Sequence, residues 1–228
     1  MKTIVISLGG SLIVPKEEMD IKFLHNFKEV LLKHTKSSKF VIVCGGGSIA
    51  RKYISVLEKE NRPEKELSLA GIRATRMNAL FLMQLIGEKA NKSLPRDMKE
   101  VKADLQKHPI VVCGALRYAP KSTSDGTAAK IAHYLKGEFI NMTNIRGLYT
   151  ADPKKNKNAK FIPKISWKNF DAMAQKSKYI PGQHFVLDQS ASTIIKNNKI
   201  RTYIIGSDLS NITKILQKKK FMGTLVAG

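Results

Sequence analysis

Cysteine is nearly absent: Cys44 and Cys113 are the only two in 228 residues, and no CxxC or Cys/His metal spacing exists. Each ends an apolar run just before a glycine, which reads as a pair of reduced, buried thiols; a redox pair is the alternative. The five histidines form no HExxH or similar cluster, so no protein-held metal is expected. No apolar run approaches the roughly 18–20 residues that span a bilayer. The apolar run in the opening "MKTIVISLGGS" is too short for a signal peptide and reads as a first strand. A cytoplasmic protein with no membrane partner is therefore expected.

Acidic residues are also few, 18 against 40 Lys and Arg, giving a net charge of +22. Such a balance favours anionic partners, either nucleic acid or nucleotide-like small substrates. The charge is spread along the chain, with dense runs only in "DPKKNKNAK" and "QKKKF". Aromatics, at 7%, are too sparse among it to stack bases, so nucleic-acid binding is not expected.

Two phosphate-binding signatures fail. No GxxxxGK followed by Ser or Thr occurs. The run from Gly45 to Ala50 satisfies G-x-G-x-x-A, but the acid that a dinucleotide fold needs about 20 residues on is replaced by "PEKELSLAG". A dehydrogenase is excluded on that basis.

What is present is a regular alternation. Strands are expected at 2–8, 39–44, 108–113, 138–143, in "RTYII" and in "GTLVA". Helices are expected at about 20–36, 48–60, 71–91, 125–135, 167–176 and 187–197, with "NRPEKELS" as a connection. The pattern implies an α/β three-layer sandwich: a mainly parallel sheet with helices on both faces, in one domain over 1–228. Ligands of such sheets bind beyond the strand C-termini. Here "SLGGS", "CGGGS", "CGA", "MTN" and "IIGS" converge there, which points to a phosphate-bearing ligand near exposed backbone N–H groups.

The constellation suits phosphoryl transfer, which needs positioning and positive charge more than covalent chemistry. Gly9 and Gly10, followed by Ser11, can offer backbone donors to the phosphoryl group; Gly46 and Gly47 can do so from the next strand. Arg51 follows Gly47 by four residues on the helix. A methyl on Gly46 or Gly47 is expected to fill the space of the ligand, costing activity while leaving the fold intact. Asp125 has two readings: a helix cap, or a carboxylate that orients phosphoryl groups, a cation or a lysine.

The segments "SLGGS", "CGGGSIARKY", "GIRATRMNA", "STSDGTAAKIA", "TNIRGLYTADPKKNKNAKFI" and "GTLV" resemble the amino acid kinase fold family, and within it the archaeal-type uridylate kinases. The likeness covers nearly the whole chain in order. It implies transfer of phosphate from ATP to UMP, with Mg²⁺ carried mainly by the ATP phosphates, and homo-oligomers, commonly hexamers. It also implies an acceptor-binding N-terminal part and an ATP-binding C-terminal part. By resemblance Gly9, Gly10, Gly47 and Arg51 meet the ATP phosphates, and Thr143, Asn144, Tyr149 and Asp152 hold the adenosine. Gly46, Ser68 and the loop Leu116–Ser124, including Ala119, Pro120, Ser122 and Thr123, surround UMP. Asp125, Arg51 and Gly10 carry the catalytic roles.

The chain departs from the family pattern at three points, and at a fourth, Ser7, it shares with archaeal-type members the lack of a lysine kept in much of the wider fold. Arg146 stands where "TNVDG" has an acid, and Ser68 stands where an aspartate meets the UMP ribose. The loop after Cys113 is about two residues longer. Two alternatives follow: another small phosphate or carboxylate acceptor, or a non-catalytic nucleotide-binding or storage protein. An isopentenyl phosphate kinase would want a histidine in the helix after the triple glycine, and none is there.

Overall fold

The computed structural model describes residues 1–15, 18–119, 123–153, 155–176 and 187–228. The chain runs β1 (Lys2–Leu8), α1 (Gly10–Ile13), α2 (Ile21–His34), β2 (Ser38–Cys44), α3 (Gly47–Lys59) and α4 (Glu64–Ile86). It continues with α5 (Met98–Lys107), β3 (Ile110–Cys113), α6 (Ser124–Tyr134), β4 (Glu138–Met142), β5 (Leu148–Tyr149), β6 (Phe161–Ile162) and β7 (Lys164–Ile165). The last elements are α7 (Trp167–Lys176), α8 (Gln189–Asn197), β8 (Thr202–Ile205), α9 (Ser210–Leu216) and β9 (Thr224–Val226).

Seven strands form one sheet in the order β3-β2-β1-β4-β8-β9-β7, parallel except where β9 runs against β8; β5 and β6 form a separate ribbon. Consecutive side chains alternate between faces, so β1 sends Ile4, Ile6 and Leu8 into one core and Val5 into the other. The first core is closed by α1, α2, α4 and α9, the second by α5, α6, α7 and α8. This is the expected three-layer α/β sandwich.

Helix α4 corrects one expectation. Residues 64–70 are helical, not part of a connection. Pro63 precedes the first turn with a helix-compatible φ of −57°, and Glu64 and Glu66 complement the positive end of the helix dipole. The first turn, residues 64–66, is exposed and charged, and burial begins only at residues 67–70, which hid the helix start. Helices α5 and α9 were also not expected, although Val101 with Leu105 and Ile212 with Ile215 are buried at helical spacing, and Asp97 caps the first by accepting from Lys99 N and Glu100 N at 3.0 Å. Both cysteines are buried free thiols, as expected, and removal from water pushes Cys113 up to about 12.

Candidate active site

Ser7 of β1 and Asn141 of β4 are register partners in the sheet. Period-two alternation turns both toward α6, flanked in the same row by Val43 and Ile204. They converge on Asp125, the second residue of α6. The Ser7 hydroxyl donates to Asp125 Oδ1 at 2.6 Å, and Asn141 Nδ2 donates to the same oxygen at 3.2 Å. Asn141 Oδ1 is buried with no hydrogen-bond partner among the described residues. Removal from water pushes the Asp125 carboxyl up to about 7. The Ser7 and Asn141 bonds oppose that rise, and the nearby Asp188 carboxylate adds to it.

Asp125 is not the cap of α6, so the helix-cap reading of this carboxylate fails. Thr123 is the capping residue: it is extended, with φ −118° and ψ 168°, and its Oγ1 accepts from Gly126 N at 2.9 Å. The same hydroxyl donates to Asp188 Oδ2 at 2.5 Å, while Asp188 Oδ1 caps α8 by accepting from Ala191 N at 2.9 Å. The N-termini of α6 and α8 are thus tied together beside Asp125. Neither Asn141 nor Asp188 was singled out from the sequence. A polar residue at an inward position of a buried strand was the available signal for Asn141, and an aspartate just before a helix, the usual cap position, was the signal for Asp188.

The glycine loops need a correction. A Cβ on Gly10 would lie 2.1 Å from Gly47 N, and one on Gly45 would lie 2.6 Å from Gly10 N. Gly47 has φ +65°, and its Cβ would lie 2.6 Å from Gly10 O. The two loops are therefore in contact with each other, and that contact is what excludes side chains. Gly45 N donates to Leu8 O at 2.9 Å and Gly9 N donates to Met142 O at 3.0 Å, so each loop extends the sheet ladder before turning away. Asn78 of α4 donates to Gly45 O at 2.7 Å and pins the loop from below. A methyl on Gly46 would meet Ala50 Cβ at 2.5 Å, so the expectation that it leaves the fold intact fails. Gly47 opens α3, and Arg51 is exposed one turn along it.

On the acceptor side, Ser68 lies half-buried on the second turn of α4. The loop after β3 is held by the same helix. Thr75 Oγ1 accepts from Ala115 N at 2.9 Å; Arg76 donates to Ala115 O at 3.1 Å and to Leu116 O at 2.7 Å. Leu116 is buried and Ala119 exposed, while Ser124 opens α6. Pro120 and Ser122 lie outside the described residues. On the other side of β1, Thr143 N donates to Ile205 O at 3.0 Å at the exit of β4, with Asn144 exposed beside it. Tyr149 packs edge-to-face on Phe161, 5.4 Å between ring centres, in the β5–β6 ribbon. The Asp152 carbonyl accepts from Lys155 N and Asn156 N at 3.1 and 2.8 Å, forming the turn of that ribbon.

Comparison with known proteins agrees with this geometry. The family model described as the amino acid kinase family matches residues 2–206. A uridylate kinase of Thermococcus kodakarensis is 34% identical over 225 residues, covering 98% of each chain. One of Archaeoglobus fulgidus is 33% identical over 225 residues, covering 98% of this chain and 99% of its own. The crystal structure of uridylate kinase from Archaeoglobus fulgidus superposes with a TM-score of 0.87 at 32% identity, covering both chains fully. A UMP kinase of Bacillus anthracis, 21% identical with a TM-score of 0.80 over 99% of this chain and 96% of its own, shares the fold.

Proposed function

The chain belongs to the amino acid kinase family, and from that membership we propose that it transfers the γ-phosphate of ATP to UMP, giving ADP and UDP. The observation that carries this reading is likeness to uridylate kinases along nearly all of both chains, reaching 34% identity. The local chemistry supports it. Two helix N-termini, at Gly47 and Ser124, open at the C-terminal edge of the sheet, where their free N–H groups and positive dipole ends suit phosphate oxygens. The paired glycine loops hold those N–H groups in place without side chains in the way.

Asp125 in its ionised form positions the phosphoryl groups. Ser7 and Asn141 fix its orientation from the rigid sheet, so little reorganisation is needed as charge moves in the transition state. The incoming UMP phosphate is itself an anionic nucleophile, so no strong base is required. Among the described residues no cluster of three or more His, Cys, Asp or Glu could enclose a metal. The Asp125 carboxylate and the unpartnered Asn141 Oδ1 are oxygen ligands that would hold a Mg²⁺ carried by ATP. Such an ion supplies charge neutralisation on the phosphates when bound. Arg51 and Gly10 serve the ATP phosphates in this reading, and Thr143, Asn144, Tyr149 and Asp152 serve the adenosine.

A second reading, a kinase of this fold with another acceptor, rests on Ser68. ADP release measured with UMP, CMP, other monophosphates and small acids tests both, UMP being expected to give the highest kcat/KM. If UMP is inert and another acceptor turns over, the second reading replaces the first. Turnover with none despite tight ATP binding leaves a binding protein. Ser68→Asp is expected to lower the UMP KM several-fold with little change for ATP, because charge-assisted hydrogen bonds are worth roughly 1 kcal/mol more than neutral ones. An unchanged UMP KM would show that Ser68 does not meet the ribose, and comparing 2′-deoxy-UMP with UMP on the unmutated protein would locate the contact.

We also propose a homo-oligomer, a hexamer by family resemblance. Tyr53 and Val56 of α3 and Met77 and Leu80 of α4 are 57%, 59%, 66% and 39% exposed on two helices that pack together. Large apolar side chains exposed on these two packed helices are what supports an interface there. Light scattering at micromolar concentration should give a multiple of 25.5 kDa; a monomer mass overturns the assignment.

A further inference from the structure

The strand N-termini form the sheet edge opposite Asp125. A cavity of about 690 Å³ lies there, lined by six cationic side chains, Lys2, Lys164, Arg201, Lys218, Lys219 and Lys220, and by one carboxylate, Glu138. Across the chain the ratio of basic to acidic residues is only 40 to 18, so the excess here is local. Lys2 pairs with Glu138 at 2.8 Å and Arg201 also feels that carboxylate, so the five other cations have no acid of their own among the described residues lining the cavity. All five are exposed.

The cations are built into the fold rather than hung on a tail. Helix α9 ends in a Schellman turn: Lys218 has φ +57°, its N–H donates to Ile215 O at 3.0 Å, and Lys219 N donates to Lys214 O at 2.8 Å. That turn fixes the backbone of the "QKKKF" run. Arg201 Nε donates to the Tyr203 hydroxyl at 2.8 Å, and Tyr203 packs edge-to-face on Phe221 with ring centres 5.5 Å apart. Tyr203 is only 6% exposed, so it anchors the arginine and offers no face for stacking a base.

We propose that this cavity binds a linear polyphosphate group, either free inorganic polyphosphate or the triphosphate of a nucleotide, at a site separate from the reaction. The size suits a small ligand. Lysine ammonium groups bind phosphate as point charges, and with Tyr203 buried and the half-buried Phe221 ring already packed edge-to-face on it, recognition falls to the phosphate chain. Lys2 and Ser7 are five residues apart on β1, about 17 Å at roughly 3.3 Å per residue, so the reaction site cannot share the ligand.

Calorimetric titration of the full chain with inorganic tripolyphosphate, at physiological ionic strength, tests this. The unmutated protein is expected to show two classes of site, one of them shared with the ATP phosphates. The triple variant Lys218→Ser, Lys219→Ser, Lys220→Ser should lose the other class, with an affinity at least about tenfold weaker. It should keep the melting temperature and the ATP- and UMP-dependent turnover. Arg201→Gln should weaken the same class. Equal affinity of that class for ATP, GTP, UTP and tripolyphosphate supports the proposal with a nucleotide as one source; a clear preference for tripolyphosphate supports it with free polyphosphate as the source. Unchanged tripolyphosphate binding in the triple variant overturns it. So does sulfate binding as tightly as tripolyphosphate, which marks diffuse attraction, or lysine-dependent binding of single-stranded RNA with no tripolyphosphate class.

Discussion

Asp125→Asn is expected to lower kcat for phosphoryl transfer by on the order of 10²- to 10⁴-fold, the range seen when one preorganised charged or hydrogen-bonding group is removed from a transition state. The fold should survive. The substitution is isosteric, its amide oxygen can still accept from Ser7 and Asn141, and the unpartnered Asn141 Oδ1 is an acceptor one side chain away. The helix keeps its cap, because the cap is Thr123. Full turnover in the variant would remove Asp125 from the mechanism.

The pH behaviour follows from the same carboxyl, held at about 7 by its burial. The native state keeps this proton to higher pH than the unfolded chain does. Its contribution to stability is therefore fully present below the ordinary aspartate range near 3.8 and is lost as pH rises through about 7. In the proposed mechanism activity runs the other way, because there the ionised form positions the phosphoryl groups: kcat/KM should rise through pH 7. Asp125→Asn should flatten the loss of melting temperature between pH 5 and pH 8, and at pH 8 the variant should melt no lower than the unmutated protein. A variant that melts lower at pH 8 would show that the carboxylate is a net stabiliser, against the burial argument.

Gly10→Ala is expected to produce the largest loss of stability among single methyl additions at the site. Its Cβ would be built 2.1 Å from Gly47 N and 2.5 Å from Gly47 Cα, both backbone atoms at the junction of two strand exits. Neither loop can yield alone, because Gly9 and Gly45 are hydrogen-bonded into the ladders of β4 and β1. Overpacking costs of roughly 1–3 kcal/mol apply to side-chain neighbours that can shift; a backbone clash should reach at least the top of that range. At about 2–4 °C per kcal/mol for a chain of this size, melting should fall by roughly 6–12 °C. Gly71→Ala serves as the control: its Cβ would meet only Ile54 Cδ1, at an ordinary 3.5 Å, inside a helix. Equal melting of the two variants would mean that the glycine loops separate readily, and ligand approach would again be the reason for the glycines.

Much of this protein was legible from residue patterns alone. The β-branched runs at β1, β2 and β3 and the helical spacing of Phe23, Leu24, Phe27 and Leu31 state their own elements, because burial on a sheet or helix face imposes a period that the sequence must obey. The glycines at strand exits marked the edge of the sheet where the loops meet for the same local reason. What lay beyond reading was contact between distant segments. That Gly10 excludes a methyl because of Gly47, that Ser7, Asn141 and Asp125 share one hydrogen-bonding point across 118 and 16 residues of sequence, and that Thr123 rather than Asp125 caps α6 by way of a hydroxyl also bonded to Asp188, are facts of packing. The clustering of Lys2, Lys164, Arg201 and the lysines after α9 into one cavity is of the same kind. Periodicity is a property of a few neighbouring residues and so is written along the chain. The partners of a buried carboxylate or a crowded glycine are chosen by strand order and register, which bring together segments that carry no mark of one another.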